Sequence, residues 1–240
     1  MTYDGPMSGT LRAVTVPALE SIPGLVHGFE QRLGPPGWED RDDTRRRVAQ
    51  ALAGAGRLQL LHQVHGRRVQ AAPWEGRPDA DAAVAEEPGS ILGIETADCQ
   101  PVLLVDPVGR RVAAAHAGWR GTAAGVTREA VAALVARGSH VADIVAALGP
   151  SIGACCYEVG PELEDAFGPE GAEFFRPGPK GKPHLDVRAA NVRQLERAGL
   201  APERIHHVAE CTFCRADLYH SYRREGKGAG RMVSFVGFAA

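Results

Sequence analysis

The sequence predicts an α+β fold built in layers. Two observations carry that expectation. Strand-like runs outnumber helical ones, and the two kinds do not alternate regularly. Regular alternation would have pointed instead to a doubly wound nucleotide fold.

In chain order, residues 41–55 read as a helix, with Val48, Leu52 and Ala55 at helical spacing. Strand-like runs follow at 58–64, 68–72, 91–95, 102–106 and 111–115. Residues 122–137 are a helix whose stripe is Val126, Ala130, Val131, Leu134 and Val135, stopped by Gly138. Residues 144–148 form a buried strand ended by Gly149 and Pro150. A second helix spans 186–198, with Asp186 as N-cap and Gly199 past its end. Strands at 205–209 and 232–238 close the chain. The Pro/Gly-rich pieces 33–38 and 177–183 are short enough to be surface loops, and no internal repeat or linker stands out.

With 240 residues the chain can form one large domain or at most two small ones. Apolar content of 44% and charged content of 23% are ordinary for a globular protein. A formal charge of −2 argues against a broad basic nucleic-acid surface. The arginine clusters at 45–47 and 223–224 read as solvated faces. No apolar run approaches the ~20 residues that span a bilayer, and M-T-Y-D-G-P-M-S-G lacks the segments of a secretory leader. Five cysteines, two of them adjacent, favour a reducing compartment, the cytoplasm. Neither nucleic acid nor membrane is expected as a partner.

Three segments hold reactive groups. In A-A-A-H-A-G-W-R-G a run of small residues delivers His116 to a strand end, and Gly118 and Gly121 turn the chain into the next helix. In L-H-Q-V-H-G, His62 and His65 are three apart and face opposite sides of an extended strand, so His65, next to Gly66, is the better candidate. In T-A-D-C-Q-P, Cys99 follows a buried strand, and Asp98 beside it is expected to raise the thiol pKa unless a metal or histidine opposes it. Two histidines and a cysteine suit an open catalytic zinc site, or a Cys–His nucleophilic pair with an accessory histidine. Spacing does not choose between them.

Other motifs are weaker. C-T-F-C (211–214) resembles a metal knuckle, but a structural zinc needs a second ligand pair and no second C-x-x-C exists, so it reads as structural packing. L-G-P-S-I-G-A-C-C-Y-E-V-G has the residues of a ligand-cradling loop but lacks the Lys-Ser/Thr of a phosphate loop. S-Y-R-R-E-G-K-G-A-G-R-M reads as a flexible loop whose cations could clamp an anion.

Taken in order, H-G-F-E-Q-R, Q-V-H-G, T-A-D-C-Q-P-V-L-L-V-D-P, A-H-A-G-W-R-G, G-P-S-I-G-A-C-C-Y-E-V-G, L-D-V-R-A-A-N and the closing S-Y-R-R-E-G-K-G-A-G-R-M resemble the YfiH family, the bacterial relatives of human FAMIN. The resemblance implies a single α/β sandwich domain over 1–240, related to the cytotoxic necrotizing factor catalytic domain, with mixed sheets flanked by helices. It implies zinc on His65, Cys99 and His116, and purine nucleosides and phosphate as substrates. The linked activities are phosphorolysis of adenosine, inosine and methylthioadenosine, and deamination of adenosine. Arg32, Gln63, Asp98 and Arg120 are the expected substrate and phosphate residues, with the helix start after Gly118 as the seat of the anion. One departure is the stretch L-G-P-P-G-W-E-D, where the family has a G-G-V-S-type loop.

Alternatives from other classes are a copper-dependent polyphenol oxidoreductase, a Cys–His amide hydrolase or peptidoglycan editing factor, and a binding protein with a non-catalytic zinc. The nine histidines, with no H-x-H pair, are too few for a four-copper laccase.

Overall fold

Two mixed β-sheets stack face to face, and helices cover the outer face of each. The computed structural model describes residues 11–35, 40–179 and 181–240. The first sheet has the order β1 (Ala13–Val14), β2 (Leu25–Glu30), β13 (Met232–Phe238), β6 (Ser90–Thr96) and β3 (Arg57–Leu60), antiparallel except for β6 with β3. The second has the order β12 (Ile205–His207), β9 (Val145–Leu148), β7 (Gln100–Asp106), β8 (Arg111–Ala117), β5 (Ala82–Ala85) and β4 (Val69–Ala71), parallel only in its two outer pairs. A small hairpin joins β10 (Phe175–Pro177) to β11 (Pro183–Leu185).

The two-residue period of each strand sorts the core into three layers. Phe29, Leu92, Ile94, Val236 and Phe238 of the first sheet meet Leu103, Val105, Val112 and Ala114 of the second. On the outer face of the second sheet, Val84, Val102, Leu104 and Ala113 pack under α4 (Val126–Val135) and α6 (Val187–Arg197). On the outer face of the first, Ile91, Val233 and Phe235 pack under Val48 and Leu52 of α2 (Arg41–Leu52). The remaining helices are short: α1 (Pro17–Glu20), α3 (Trp119–Ala124), α5 (Glu162–Phe167) and α7 (Tyr222–Glu225). The α+β expectation holds.

Several expectations shift for local reasons. The helix expected over 122–137 is two, α3 and α4, because Gly125 adopts φ 86°, left-handed backbone that glycine enters without strain. Gly121 therefore lies inside α3 rather than in a turn, and β8 runs one residue past His116. The strand expected over 58–64 stops at Leu60. The stretch 221–232 is no simple loop, since Ser221 Oγ accepts from the Arg224 N–H and caps α7. Strand β5, of sequence A-A-V-A, was missed: alanine favours helices, yet here small residues let α4 lie close on the sheet. Asp186 does cap α6, accepting from the Ala189 N–H. The leader reading of residues 1–9 lies outside the described residues, as do 36–38 of the first Pro/Gly loop and 180 of the second.

The arginines at 45–47 are not a free basic face, because Arg45 pairs with Glu95 and Asp42, Arg46 with Asp43 and Arg47 with Glu30. Among the described residues, no helix is long and apolar enough to cross a membrane.

His27 on β2 is buried, and its Nε2 accepts the Val16 N–H at 3.1 Å. Burial lowers its pKa from 6.5 to about 4, against the raising pull of Glu20. Between those two pH values the unfolded chain binds a proton that the folded chain refuses. Stability is therefore complete above pH 6.5 and falls as the pH drops towards 4, by up to about 3 kcal/mol. In His27→Gln, whose amide oxygen can still accept from Val16, this part of the acid loss is expected to vanish. Urea midpoints at pH 7 and pH 4.5 for both proteins measure it; equal drops in the two would refute it.

Candidate active site

The reactive groups meet at one end of the sandwich. There β3, β6 and β8 finish and β7 and β13 begin. Residues 97–99 link β6 in the first sheet to β7 in the second, so Cys99 lies on the crossing between sheets. On β8, Val112 and Ala114 point between the sheets, and His116 continues that face. His65 arrives from the loop after β3. The Sγ of Cys99 and one ring nitrogen each of His65 and His116 lie within 4.8 Å of one another. The two imidazoles meet edge to face at 4.8 Å between centroids. Gly118 closes the group from behind, where a Cβ would stand 3.0 Å from Cys99 Sγ and 3.1 Å from the His65 ring.

Asp81, at the head of β5, organises this centre. Its fully buried carboxylate accepts the backbone N–H groups of Val64 (3.2 Å), His65 (2.9 Å) and Gly66 (2.6 Å), and Nδ1–H of His116 (2.8 Å). Three successive N–H groups converging on one anion form a nest, which holds His65 at φ 63°, in left-handed backbone that non-glycine residues seldom adopt. Burial pushes the Asp81 pKa up, but these donors, His116 first, bring it below the usual value. Because the carboxylate only accepts, Nδ1 of His116 carries the proton and Nε2 is left for Cys99 or a metal.

Burial also raises the Cys99 thiol, but His116 and then His65 outweigh it and bring the pKa down to about 6. Burial pulls His116 down, and Cys99 and Asp81 raise it to about 9. The expectation that Asp98 opposes the thiolate gives way to a different role. Its carboxylate accepts from Thr212 Oγ1 (2.6 Å), Ser221 Oγ (3.0 Å) and the Arg223 N–H (2.7 Å), tying Thr212 and the start of α7 to the turn before Cys99. An anionic sulfur with two imidazoles, one oriented by a carboxylate through its far nitrogen, is a donor set that fits zinc or copper.

A cleft of about 570 Å³ opens over the three residues, within the range of small-molecule sites. Gln63, Asp98 and Arg120 line it, as does Tyr157. Arg120 is exposed and stacks on Trp119 at 4.4 Å. Gln63 extends the sheet: its Nε2 donates to the Glu95 carbonyl (2.7 Å), and its Oε1 accepts the Glu95 N–H (2.8 Å). Arg32 is not brought to this cleft. It is buried near a separate pocket, where its guanidinium donates to Gly34 O and Ala216 O and pairs with Glu225. Its Gly34 contact is part of the stretch that departs from the family pattern.

The sequence reading overlooked Arg41, and it held Tyr157 and Arg231 only within the ligand-cradling and anion-clamping motifs without singling them out. Arg231 lies near Arg41, and neither has an ion pair with a carboxylate among the described residues, in contrast to Arg45 and Arg77, which both hold Glu95. Burial, and then Arg41, hold the Arg231 pKa below its usual value. Arg231 Nη1 donates to the Ala229 and Gly230 carbonyls, and two neighbouring cations that hold no ion pair among the described residues can attract an anion. The cue for Arg231 was its place in the cationic 221–232 stretch, immediately before β13.

A family model described as "Multi-copper polyphenol oxidoreductase laccase" matches residues 39–239. "Purine nucleoside phosphorylase YlmD" of Geobacillus stearothermophilus is 34% identical over 95% of this chain and 94% of that protein. "Purine nucleoside phosphorylase YfiH" of Escherichia coli is 36% identical over 81% of this chain and 79% of that protein. The chain belongs to the YfiH family. Another relative, "Adenosine deaminase RL5" from an unknown prokaryotic organism, is 39% identical over 70% of this chain and 64% of its own length. The crystal structure of YlmD from Geobacillus stearothermophilus superposes with a TM-score of 0.85 at 30% identity, covering 98% of each chain. Like these YfiH-family relatives, the chain is an enzyme.

Proposed function

We propose that this YfiH-family chain is a zinc-dependent purine nucleoside phosphorylase that also deaminates adenosine, with His65, Cys99 and His116 holding the metal. The observation that carries this reading is one cleft joining a Cys/His/His donor set to Arg41, Arg120 and Arg231, which hold no ion pair among the described residues. The names of the relatives above point to purine nucleosides.

A zinc ion on these residues supplies Lewis acidity and lowers the pKa of a water that it holds. In phosphorolysis, a phosphate oxygen bonds to C1′ of the ribose as the bond from C1′ to the purine nitrogen breaks. The base leaves with the bonding pair and takes up a proton. Arg41, Arg120 and Arg231 bind the phosphate and hold it against the positive charge developing on the sugar. Trp119 and Tyr157 offer ring faces to the purine. Burial, and then Cys99, raise the Tyr157 pKa to about 12, so its hydroxyl stays protonated at neutral pH and can donate to a purine nitrogen.

The test is release of hypoxanthine from inosine by zinc-loaded protein, with and without phosphate, and formation of inosine from adenosine. Release that needs phosphate supports the proposal; none from folded, zinc-loaded protein refutes it. Arg231→Met is expected to raise the KM for phosphate about 10- to 100-fold, the loss of one charged hydrogen bond. Phosphorolysis should then fall at least ~10-fold further than deamination, which uses no phosphate. Equal losses in both reactions would remove Arg231 from the phosphate seat.

The description of the matching family favours a second reading, copper-dependent phenol oxidation, since a Cys/His/His set also suits a blue-copper site. Among the described residues, only one cluster of metal-ligand type contains histidine. A multi-copper centre would need several. Copper-loaded protein that lacks strong visible thiolate-to-copper absorption and does not oxidise phenols would exclude this reading.

A further inference from the structure

The fold supplies the ligand pair that C-T-F-C lacked. Cys155 and Cys156, in the loop after β9, face Cys211 and Cys214, and the four sulfurs lie within 4.8 Å of one another. Cys214 Sγ is 3.8 Å from Cys155 Sγ and 3.4 Å from Cys156 Sγ. A tetrahedron of sulfurs at the usual zinc–sulfur distance of about 2.3 Å has edges of about 3.8 Å. Cys211 Sγ accepts the Gly153 N–H at 3.2 Å and the N–H of Cys214, the kind of donors that settle a metal-bound thiolate. Beside the cluster, Arg188 interacts electrostatically with Cys211 and Cys155, and its buried Nε has no hydrogen-bond partner. That cation complements the net negative charge of four thiolates on one divalent ion.

We propose that Cys155, Cys156, Cys211 and Cys214 form a second metal centre, a closed four-sulfur zinc site with a structural role. With all four positions filled by protein, it leaves none for a substrate. Its place in the fold gives it a task. Cys211 bridges to Ser151 and precedes Thr212, whose hydroxyl holds Asp98 beside Cys99. Cys156 precedes Tyr157 in the cleft wall. An ion here clamps the 149–160 loop to the 211–224 segment and so fixes the wall of the cleft from outside. Binding releases the thiol protons and involves no change of oxidation state.

The test uses the full chain purified under reductant without added metal. The double variant His65→Ala/Cys99→Ala keeps only the four-sulfur site, and elemental analysis is expected to find about one zinc per chain. Exchange of that zinc for cobalt should give intense thiolate-to-cobalt charge-transfer bands with tetrahedral d–d absorption. A folded double variant that holds less than about a tenth of a zinc after exposure to zinc and dialysis overturns the proposal, as does a cobalt spectrum without those bands. If the double variant does not fold, wild type is compared with Cys214→Ser. Two zinc ions against one supports the site, and equal content in the two overturns it. A disulfide found between the two cysteine pairs under reductant also overturns it.

Discussion

Cys99→Ala is expected to lower kcat/KM for phosphate-dependent inosine cleavage by about 10³-fold, about 4 kcal/mol. Cys99 is the one anionic donor among the three, and its loss leaves two neutral imidazoles for a doubly charged ion. It is also the group that, with Asp81, holds the His116 proton, so its removal disturbs the site even before metal binds. The fold should tolerate the change well, because alanine keeps the Cβ and lies where the backbone already turns. The melting temperature without metal is therefore expected to move by only about 2–4 °C, the effect of ~1 kcal/mol or less in a chain of this size. Steady-state kinetics, zinc titration and thermal unfolding measure the three quantities. Activity within about tenfold of wild type would dismiss Cys99 as a catalytic metal ligand.

Asp81→Ala should be the more damaging change to the fold. It removes one carboxylate, itself buried, that is shared by three backbone N–H groups of a half-exposed loop and by a buried imidazole N–H. Stranded buried donors cost about 1–3 kcal/mol each, and with partial relaxation the total should be about 3–5 kcal/mol. Asp81 touches no substrate, so it is a positioning residue, and zinc affinity reports on it apart from stability. Loss of a carboxylate behind a ligand histidine lowers metal affinity about 10- to 100-fold. Asp81→Asn keeps one acceptor oxygen and should recover much of the stability while zinc affinity stays low. Full recovery of both would make Asp81 a packing residue only.

What could be read beforehand follows from how local each cue is. β13 and α6 were legible because a run of apolar residues or a cap with its glycine stop is written within a dozen positions. The apolar stripe of α4 was legible too, although the break at Gly125 was not, since a single glycine inside a helical pattern is ambiguous. The strand β5 was hidden by its alanines, whose value lies in what packs on them. The same limit governs the site. His65, Cys99 and His116 stood out through their turn-flanked motifs and the family resemblance, whereas Asp81 showed no sign of its four hydrogen bonds to segments remote in the chain. Gln63 and Arg32 drew notice as polar residues within motifs. The places their side chains take, bracing a strand and filling a buried ion pair, depend on partners remote from their own motifs. The four cysteines were visible as two unrelated pairs, and contacts remote in sequence, the bridge from Ser151 to Cys211 and the Gly153 N–H on Cys211 Sγ, align them.

The passage of the chain from one sheet to the other at Cys99 has a thermodynamic side. A single ion on His65, Cys99 and His116 would pin three separated stretches at the seam of the sandwich, and in the unfolded chain those stretches are free. It would therefore act as a reversible cross-link, closing two loops at once. A ligand bound only by the folded form stabilises it by RT ln(1 + [L]/Kd), about 4 kcal/mol at a thousandfold excess over Kd. Metal supply would then govern how much of the protein stands folded, and how long it survives proteolysis, as well as how fast each folded molecule works.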